Sequence, residues 1–232
     1  MIKIVRSDDR GTVDHGWLKA RHTFSFADYY NPAMMEFGSL RVINEDRIEP
    51  GKGFGTHAHQ DMEIVTYIID GALEHKDSMG NGSVIRAGDV QRMTAGTGVR
   101  HSEFNHSSEA QVHLLQIWII PEENSLPPGY EEQHFSRESK LNQWRLIASR
   151  DARDTSMRIH QDLDLHASVI EAGTTLDHEF GDGRRGFLQI VHGSVEANGE
   201  SLVAGDGAMI TDEASLHLSA TAEVELLLFD IA

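Results

Sequence analysis

Four side chains of this sequence have the residue types and the spacing of metal ligands. They form two pairs, His57 with His59 and His101 with Glu103, and one residue separates the members of each pair. Successive side chains of a strand point to opposite faces, so the two members of a pair share a face and lie about 7 Å apart. Two such pairs that face each other would hold one metal ion.

The donor types narrow the choice of metal. Three neutral imidazoles and one carboxylate suit Fe, Zn, Ni, Cu or Mn, and the lack of thiolates argues against an iron–sulfur cluster or a closed structural zinc site. The chain contains 14 histidines, and most of them must be ordinary surface or hydrogen-bonded residues. The second pair, together with the glycines around both pairs, favours a metal site over this bland interpretation.

Composition excludes several classes of function. The formal net charge is −17, which opposes binding to the phosphates of nucleic acids and to the cytoplasmic membrane surface. The sequence has no cysteine, so it has neither a disulfide nor a thiol nucleophile. The longest apolar run, residues 114–120, is far short of a membrane span, and no signal-length run begins the chain. We expect a cytoplasmic protein, with a monomer as the default and a protein partner left open.

Short apolar or β-branched runs predict an all-β protein. Asp-Gly, Asn-Gly and Ala-Gly-Asp turn signals separate these runs, as in a sandwich or barrel. Proline, glycine and acidic residues mark 121–132 as a linker, and a short helix is predicted within 136–145 with Ser136 as its N-cap. The predicted strands lie at residues 17–26, 40–43, 63–69, 84–85, 90–93 and 112–120.

The second half of the chain repeats the first. Residues 48–51 and 71–74 recur at 170–173 and 193–196, and Asn81-Gly82 recurs as Asn198-Gly199. Both Asn-Gly pairs predict a type I′ turn at the tip of a hairpin. Two copies of one β-domain follow, with predicted bounds 1–130 and 131–232.

The repeat also tests the metal site. No imidazole recurs in this alignment, because His178 and His217 are each one residue out of register, which would turn them to the other face of a strand. One domain with metal and one degenerate domain without metal are therefore expected. The residues aligned with His57, His59, His101 and Glu103 are Glu179, Gly181, Leu218 and Ala220.

The residues around both pairs resemble the two cupin signatures. The first signature places His-x-His and a Glu between two glycines, and it is matched by Gly51, His57, His59, Glu63 and Gly71 with one extra residue before the last glycine. In the second signature Thr94 replaces a proline, and His101 comes two residues late. These departures, together with residues 22–26, 55–63 and 93–103, look like the pirin branch of the cupins.

This resemblance implies a bicupin of two β-sandwich barrels whose N-terminal domain binds one metal ion. The ligands of pirins fall on His57, His59, His101 and Glu103, and the resemblance favours iron, with Zn, Ni, Cu, Co and Mn as alternatives. Most other cupins use the carboxylate that corresponds to Glu63. Four residues of strand place Glu63 about 13 Å from His59, so it needs a turn to reach the metal, whereas Glu103 needs none.

The resemblance also implies an activity. Bacterial pirins that resemble this chain cleave flavonols such as quercetin with O2 and release carbon monoxide, so the expected partners are a small aromatic substrate and O2. Glu103 is the expected catalytic residue, as a ligand or as the base that takes the proton of a substrate hydroxyl. The main alternative is a non-enzymatic, iron-bearing regulator that binds a protein partner, and a sugar isomerase is a weaker one.

Overall fold

The structure is a computed structural model that describes residues 1–232. It is nearly all β, with one single-turn helix, α1 (Arg137–Lys140), for which the Ser136 side chain accepts a hydrogen bond from the amide of Ser139 as predicted for an N-cap. No helix is long and apolar enough to cross a membrane. The first twelve strands are β1 (Ile2–Val5), β2 (Gly11–Asp14), β3 (Leu18–His22), β4 (Leu40–Ile48), β5 (Gly53–His59), β6 (Glu63–Asp70), β7 (Ala72–Asp77), β8 (Gly82–Arg86), β9 (Asp89–Thr94), β10 (Val99–Asn105), β11 (Val112–Ile119) and β12 (Gly129–His134). The remaining strands are β13 (Arg145–Ser149), β14 (Met157–Arg158), β15 (Leu163–Ile170), β16 (Thr175–Glu179), β17 (Arg185–His192), β18 (Ser194–Ala197), β19 (Glu200–Val203), β20 (Gly207–Ile210), β21 (Ser215–Ser219) and β22 (Val224–Ile231).

The chain divides into two compact units. The N-terminal unit comprises residues 11–134 and 159–161, and the C-terminal unit comprises residues 1–10, 135–158 and 162–232. The predicted boundary at 130 differs from this division mainly at the start of the chain. Strand β1 pairs with β20, and Ile2 and Ile4 pack against the core of the C-terminal unit.

Each unit contains a seven-stranded sheet and a four-stranded sheet. In the N-terminal unit their orders are β12-β9-β6-β11-β4-β3-β2 and β5-β10-β7-β8. In the C-terminal unit β20-β17-β22-β15 repeats β9-β6-β11-β4, and β16-β21-β18-β19 repeats β5-β10-β7-β8. The two-domain all-β fold inferred from the internal repeat is confirmed.

Two local predictions need correction. The predicted linker 121–132 ends in β12, which pairs with β9 at the edge of the seven-stranded sheet, where acidic side chains can stay in solvent.

The second correction concerns the two predicted type I′ turns. Asn198 and Gly199 both have positive φ at the tip of the β18–β19 hairpin, as a type I′ turn requires. Asn81 does not, because a wider loop precedes β8, in which the Asp77 carboxylate accepts hydrogen bonds from backbone amides.

Strand β5 contains an irregularity that brings it close to β10. His57 pairs with His101 and Phe54 pairs with Glu103, so three steps along β5 match two steps along β10. Near this bulge Gly53 lies so close to β10 that a Cβ atom on it would be 2.1 Å from the carbonyl oxygen of Glu103. A side chain at position 53 would therefore force apart the two strands that supply the predicted ligands.

We predict that Gly53→Ala lowers the free energy of unfolding by about 1–3 kcal/mol, the usual cost of overpacking against backbone. Gly55→Ala is the matched control, because a Cβ at position 55 meets nothing within 4 Å. Its effect should stay within about 0.5 kcal/mol. Urea unfolding followed by tryptophan fluorescence measures both variants, and equal midpoints for the two would contradict the close approach.

Candidate metal centre

Three imidazole nitrogens converge between strands β5 and β10. The Nε2 atom of His101 lies 3.0 Å from Nε2 of His57 and 2.9 Å from Nε2 of His59. Hydrogen bonds alone do not explain these two contacts at Nε2 of His101. A neutral imidazole nitrogen carries either one proton or one lone pair, so it can take part in only one hydrogen bond. These three side chains form one compact group of possible ligands, with all three donor atoms within 4.8 Å of one another.

The distances fit a divalent transition metal. Two nitrogens that are each about 2.1 Å from one ion lie about 3 Å apart when the angle at the ion is near 90°. Imidazole donors suit Fe, Ni, Cu and Zn, and no thiolate is available to favour softer ions. The three histidines thus offer three donors to one ion and leave the rest of its coordination shell to further ligands.

The protein keeps His59 and His101 in the neutral form that a metal requires. Burial, together with the positive charge that neighbouring histidines would acquire, lowers the pKa of His101 to about 3. Burial, with a contribution from His57, likewise lowers the pKa of His59 to about 4. The Nδ1 atom of His57 lies 2.9 Å from the carbonyl oxygen of Gly55. A proton donated there leaves the lone pair on Nε2, where the other two donors converge.

Glu103 lies beside this group and is held by two amides. Its side chain is 1% exposed, its Oε2 accepts a hydrogen bond from Gln116 at 2.9 Å, and its Oε1 accepts a long one from Gln91 at 3.5 Å. The same Oε1 is 4.0 Å from Nδ1 of His101. Burial raises the pKa of Glu103 to about 7, against the lowering effect of the two amides. Its carboxylate forms a compact group with His75 and His101, and not with all three converging imidazoles.

The other candidate carboxylate, Glu63, has different neighbours. It is fully buried, its Oε1 is 3.3 Å from Nδ1 of His160, and it also interacts with Thr94 and Arg92. Burial raises its pKa, and these neighbours lower it. The structure groups Glu63 with neither set of possible metal ligands, and Glu103 remains the proposed fourth ligand.

Sequence reasoning missed three residues around the site. His75 pairs with Glu103 across β7 and β10, stacks on Tyr130 and is fully buried. Gln91 and Gln116 lie within runs that were interpreted as core strands. Both glutamines are marked in the sequence as polar residues inside apolar runs. No local pattern pairs them with Glu103.

A cavity of about 640 Å³ opens beside the converging imidazoles. Aromatic rings form much of its wall. The rings of Trp118 and His59 meet edge to face, with their centroids 4.9 Å apart. Polar groups on the wall include the Asp28 and Asp46 carboxylates, and no lysine or arginine lines it. The aromatic lining consists of Trp17, Phe26, Phe54 and Trp118 together with histidine rings.

The strand pairing corrects the predicted alignment of the second copy. Glu103 pairs with His75, and Leu218 pairs with Ala197 at the corresponding place, so Leu218 corresponds to Glu103. His178 pairs with Leu216 where His57 pairs with His101, so His178, and not Glu179, occupies the position of His57. The bulge in β5 adds one residue, and the stretch from Gln91 to His101 is two residues longer than the matching stretch from Ala208 to Leu216, which shifted the alignment.

This corrected position does not make a second metal site. The Nε2 atom of His178 lies 2.9 Å from Oδ2 of Asp230, and the position of His101 is occupied by Leu216. Asp230 is bound in turn by Arg184. Both compact groups of possible metal ligands lie in the N-terminal unit.

Comparison with known proteins agrees with this arrangement. Residues 5–119 match the family model described as Pirin, and residues 146–231 match the model of a quercetinase C-terminal cupin domain. A protein of Escherichia coli K12 named quercetin 2,3-dioxygenase is 47% identical over 231 residues, which cover 100% of this chain and 99% of that protein. The chain belongs to the pirin family.

Other relatives of this pirin-family chain extend the comparison. A pirin-like protein of Caulobacter vibrioides is 42% identical over 97% of both chains. The crystal structure of YhhW from Escherichia coli superposes with a TM-score of 0.97 at 46% identity and covers 100% of this chain and 98% of its own. A structure of the bacterial pirin YhhW in complex with nickel(II) superposes with a TM-score of 0.96, at 46% identity and over 100% and 99% of the two chains.

We predict that His57→Ala and His101→Ala each abolish stoichiometric binding of a divalent metal, because each removes one of three converging donors. The fold of this pirin-family chain should remain, since the barrel core lies elsewhere. His178→Ala is the matched control in the C-terminal unit and should bind metal like the wild type. Metal content is measured by inductively coupled plasma mass spectrometry after dialysis. Full retention of metal in either of the first two variants would contradict the site.

Glu103 gives a second prediction, on the stability of metal-free protein. Its folded-state pKa of about 7 lies above its ordinary value of 4.5, so the folded chain binds this proton more tightly than the unfolded chain does. The contribution of Glu103 to stability should therefore fall as the pH rises from about 4.5 to about 7, by roughly 1.4 kcal/mol per unit and by about 3 kcal/mol at most, while the lowered pKa values of His59 and His101 act in the opposite sense. Glu103→Gln should lose this component. Urea unfolding at pH 5 and pH 8 tests it, and the same pH dependence in both proteins would refute it.

Proposed function

We propose that this chain is a metal-dependent dioxygenase that cleaves flavonols such as quercetin with O2 and releases carbon monoxide. The observation that carries the proposal is the convergence of three imidazole nitrogens on the wall of a cavity lined by aromatic rings. The relatives named quercetin 2,3-dioxygenase support a cupin oxidoreductase of this kind.

His57, His59, His101 and Glu103 are the proposed ligands, with iron as the proposed metal and nickel, zinc, copper, cobalt or manganese as alternatives. When bound, such an ion would activate a substrate hydroxyl by lowering its pKa, and a redox-active ion such as iron would also supply the redox chemistry needed for O2. The nickel(II) complex of the relative YhhW supports a divalent ion as the metal. The three neutral imidazoles contribute no charge, so Glu103 supplies the only negative charge of the proposed ligand set.

We assign the acid–base role to Glu103. A group with a pKa near the working pH can both accept and return a proton, and burial brings the pKa of Glu103 to about 7 when no metal is bound. Glu103 would take this role when it is released from the metal, and its Oε1 lies 4.0 Å from Nδ1 of His101, so the proton would stay beside the proposed ligands. The carboxylate would become a neutral carboxylic acid as it takes the proton, and a bound cation would stabilise the negative charge left on the substrate oxygen.

The cavity favours a neutral, planar aromatic substrate. The edges and faces of Trp17, Phe54 and Trp118 provide apolar area for a fused ring. The Asp28 and Asp46 carboxylates can accept hydrogen bonds from phenolic hydroxyls. A phosphorylated or sulfated compound would meet carboxylates and no cation, which argues against a sugar phosphate as the substrate.

The test is aerobic incubation of the iron-loaded chain with quercetin. We expect loss of the flavonol absorbance, matched by O2 uptake and carbon monoxide release, and none of these with His57→Ala. A sulfated flavonol should react more slowly than quercetin, because the cavity wall has no cation.

A different outcome would favour the alternative function. If the wild type binds iron stoichiometrically and leaves quercetin and O2 unchanged, the dioxygenase proposal is wrong. That result would favour the iron-bearing regulator, for which a protein partner is the next object to seek.

A further inference from the structure

A row of five polar side chains crosses the seven-stranded sheet of the N-terminal unit. We call it the polar row. Its members are direct neighbours on adjacent strands, so they point to the same face. All of them are at most 8% exposed. In order across β3, β4, β11, β6 and β9 they are His22, Asn44, Gln116, Thr66 and Gln91.

The polar row is unusual for the interior of a sheet. On its two sides the same strands provide apolar residues, such as Ile68 and Leu114 on one side and Ile64 and Met93 on the other. Burying polar groups is costly unless they are hydrogen-bonded, and the Thr66 hydroxyl has no partner at all. Packing of the sheet therefore does not account for these residues.

In the C-terminal unit four of the five places of the polar row are apolar, and only the place of Asn44 keeps a polar side chain, His166. In its matching sheet Leu228 pairs with Leu188, and Leu188 pairs with Ala208, at the places of Gln116, Thr66 and Gln91. Leu188, Ala208 and Leu228 all belong to one apolar core cluster. The same topology thus closes over leucine and alanine where the N-terminal unit has two glutamines and a threonine.

The glutamines hold the Glu103 carboxylate. Gln116 donates to Oε2 at 2.9 Å, and Gln91 donates to Oε1 at 3.5 Å. The Tyr130 hydroxyl lies 3.3 Å from Oε1 of Gln91 and 2.8 Å from Oε2 of Glu132. With Oε2 held by the shorter bond, Oε1 is the atom presented toward His101.

Glu103 and both of its glutamine donors are replaced by apolar residues in the C-terminal unit. Leu218 stands at the place of Glu103, and the places of Gln116 and Gln91 are taken by Leu228 and Ala208. A structural role for the glutamines would not require this joint exchange. A role that exists only where Glu103 exists would require it.

We propose that Gln116 is a positioning residue of the metal centre: it anchors Oε2 of Glu103 so that Oε1 can bind the metal, and Gln91 supports it. The inference rests on the metal centre that the proposed function requires. Ligating carboxylates are commonly oriented by such outer hydrogen bonds, and loss of one typically costs about 10- to 100-fold in metal affinity.

The test is a double-mutant cycle of Glu103→Ala and Gln116→Leu, with binding of Co2+ to metal-free protein measured by titration calorimetry and visible absorption. We expect Gln116→Leu to weaken the Kd about 10- to 100-fold and to shift the cobalt spectrum toward that of Glu103→Ala. The double variant should bind Co2+ no more weakly than Glu103→Ala alone, because Gln116 acts through Glu103.

Two further variants serve as controls. Gln189→Leu removes a buried amide of the C-terminal unit that donates to backbone carbonyls, and it should leave the Kd unchanged. Gln116→Met has nearly the length of glutamine without its donor, so it should repeat the loss even if the leucine variant fails to fold.

Three results would overturn the inference. They are a Kd and spectrum of Gln116→Leu that match the wild type, additive losses in the double variant, and an unchanged Kd in Glu103→Ala. Because cobalt binding needs no turnover, the outcome is independent of the quercetin assay. A coupled cycle without quercetin cleavage would refute the proposed activity and retain the role of Gln116.

Discussion

The Nε2 atom of His101 lies within 3.0 Å of Nε2 of both His57 and His59, and hydrogen bonds cannot satisfy all three nitrogens. A cation between them removes this conflict, and much of the N-terminal unit is arranged to create the position for it. The close approach of Gly53 to β10 brings the two ligand strands together. The carbonyl of Gly55 orients His57, and burial keeps His59 and His101 neutral.

The second unit shows which of these features belong to the fold and which belong to the chemistry. Both units have the same strand order, and both close around apolar side chains. Only the N-terminal unit combines convergent histidines with a buried carboxylate and amide donors to that carboxylate. The C-terminal unit retains one imidazole at a ligand position, His178, and binds it to Asp230. The chemistry therefore lies in a few interior side chains, while the backbone framework is common to both units.

The sequence was sufficient for the strands, the repeat and the convergence of the histidines, because alternation in strands fixes which side chains share a face. It was insufficient for residue correspondence between the two copies, since a bulge adds a residue that no local pattern marks. Gln91 and Gln116 were missed because strand pairing that is distant in sequence brings them to Glu103. Glu63 could not be placed either, because its partner His160 comes from a segment 97 residues further along the chain.

The most direct measurement is a crystal structure of the metal-loaded chain with the ion located by anomalous scattering. The account predicts one ion per chain, bonded to the Nε2 atoms of His57, His59 and His101 and to a carboxylate oxygen of Glu103. An ion bound elsewhere, a second fully occupied ion in the C-terminal unit, or Glu63 in place of Glu103 in the coordination shell would contradict it.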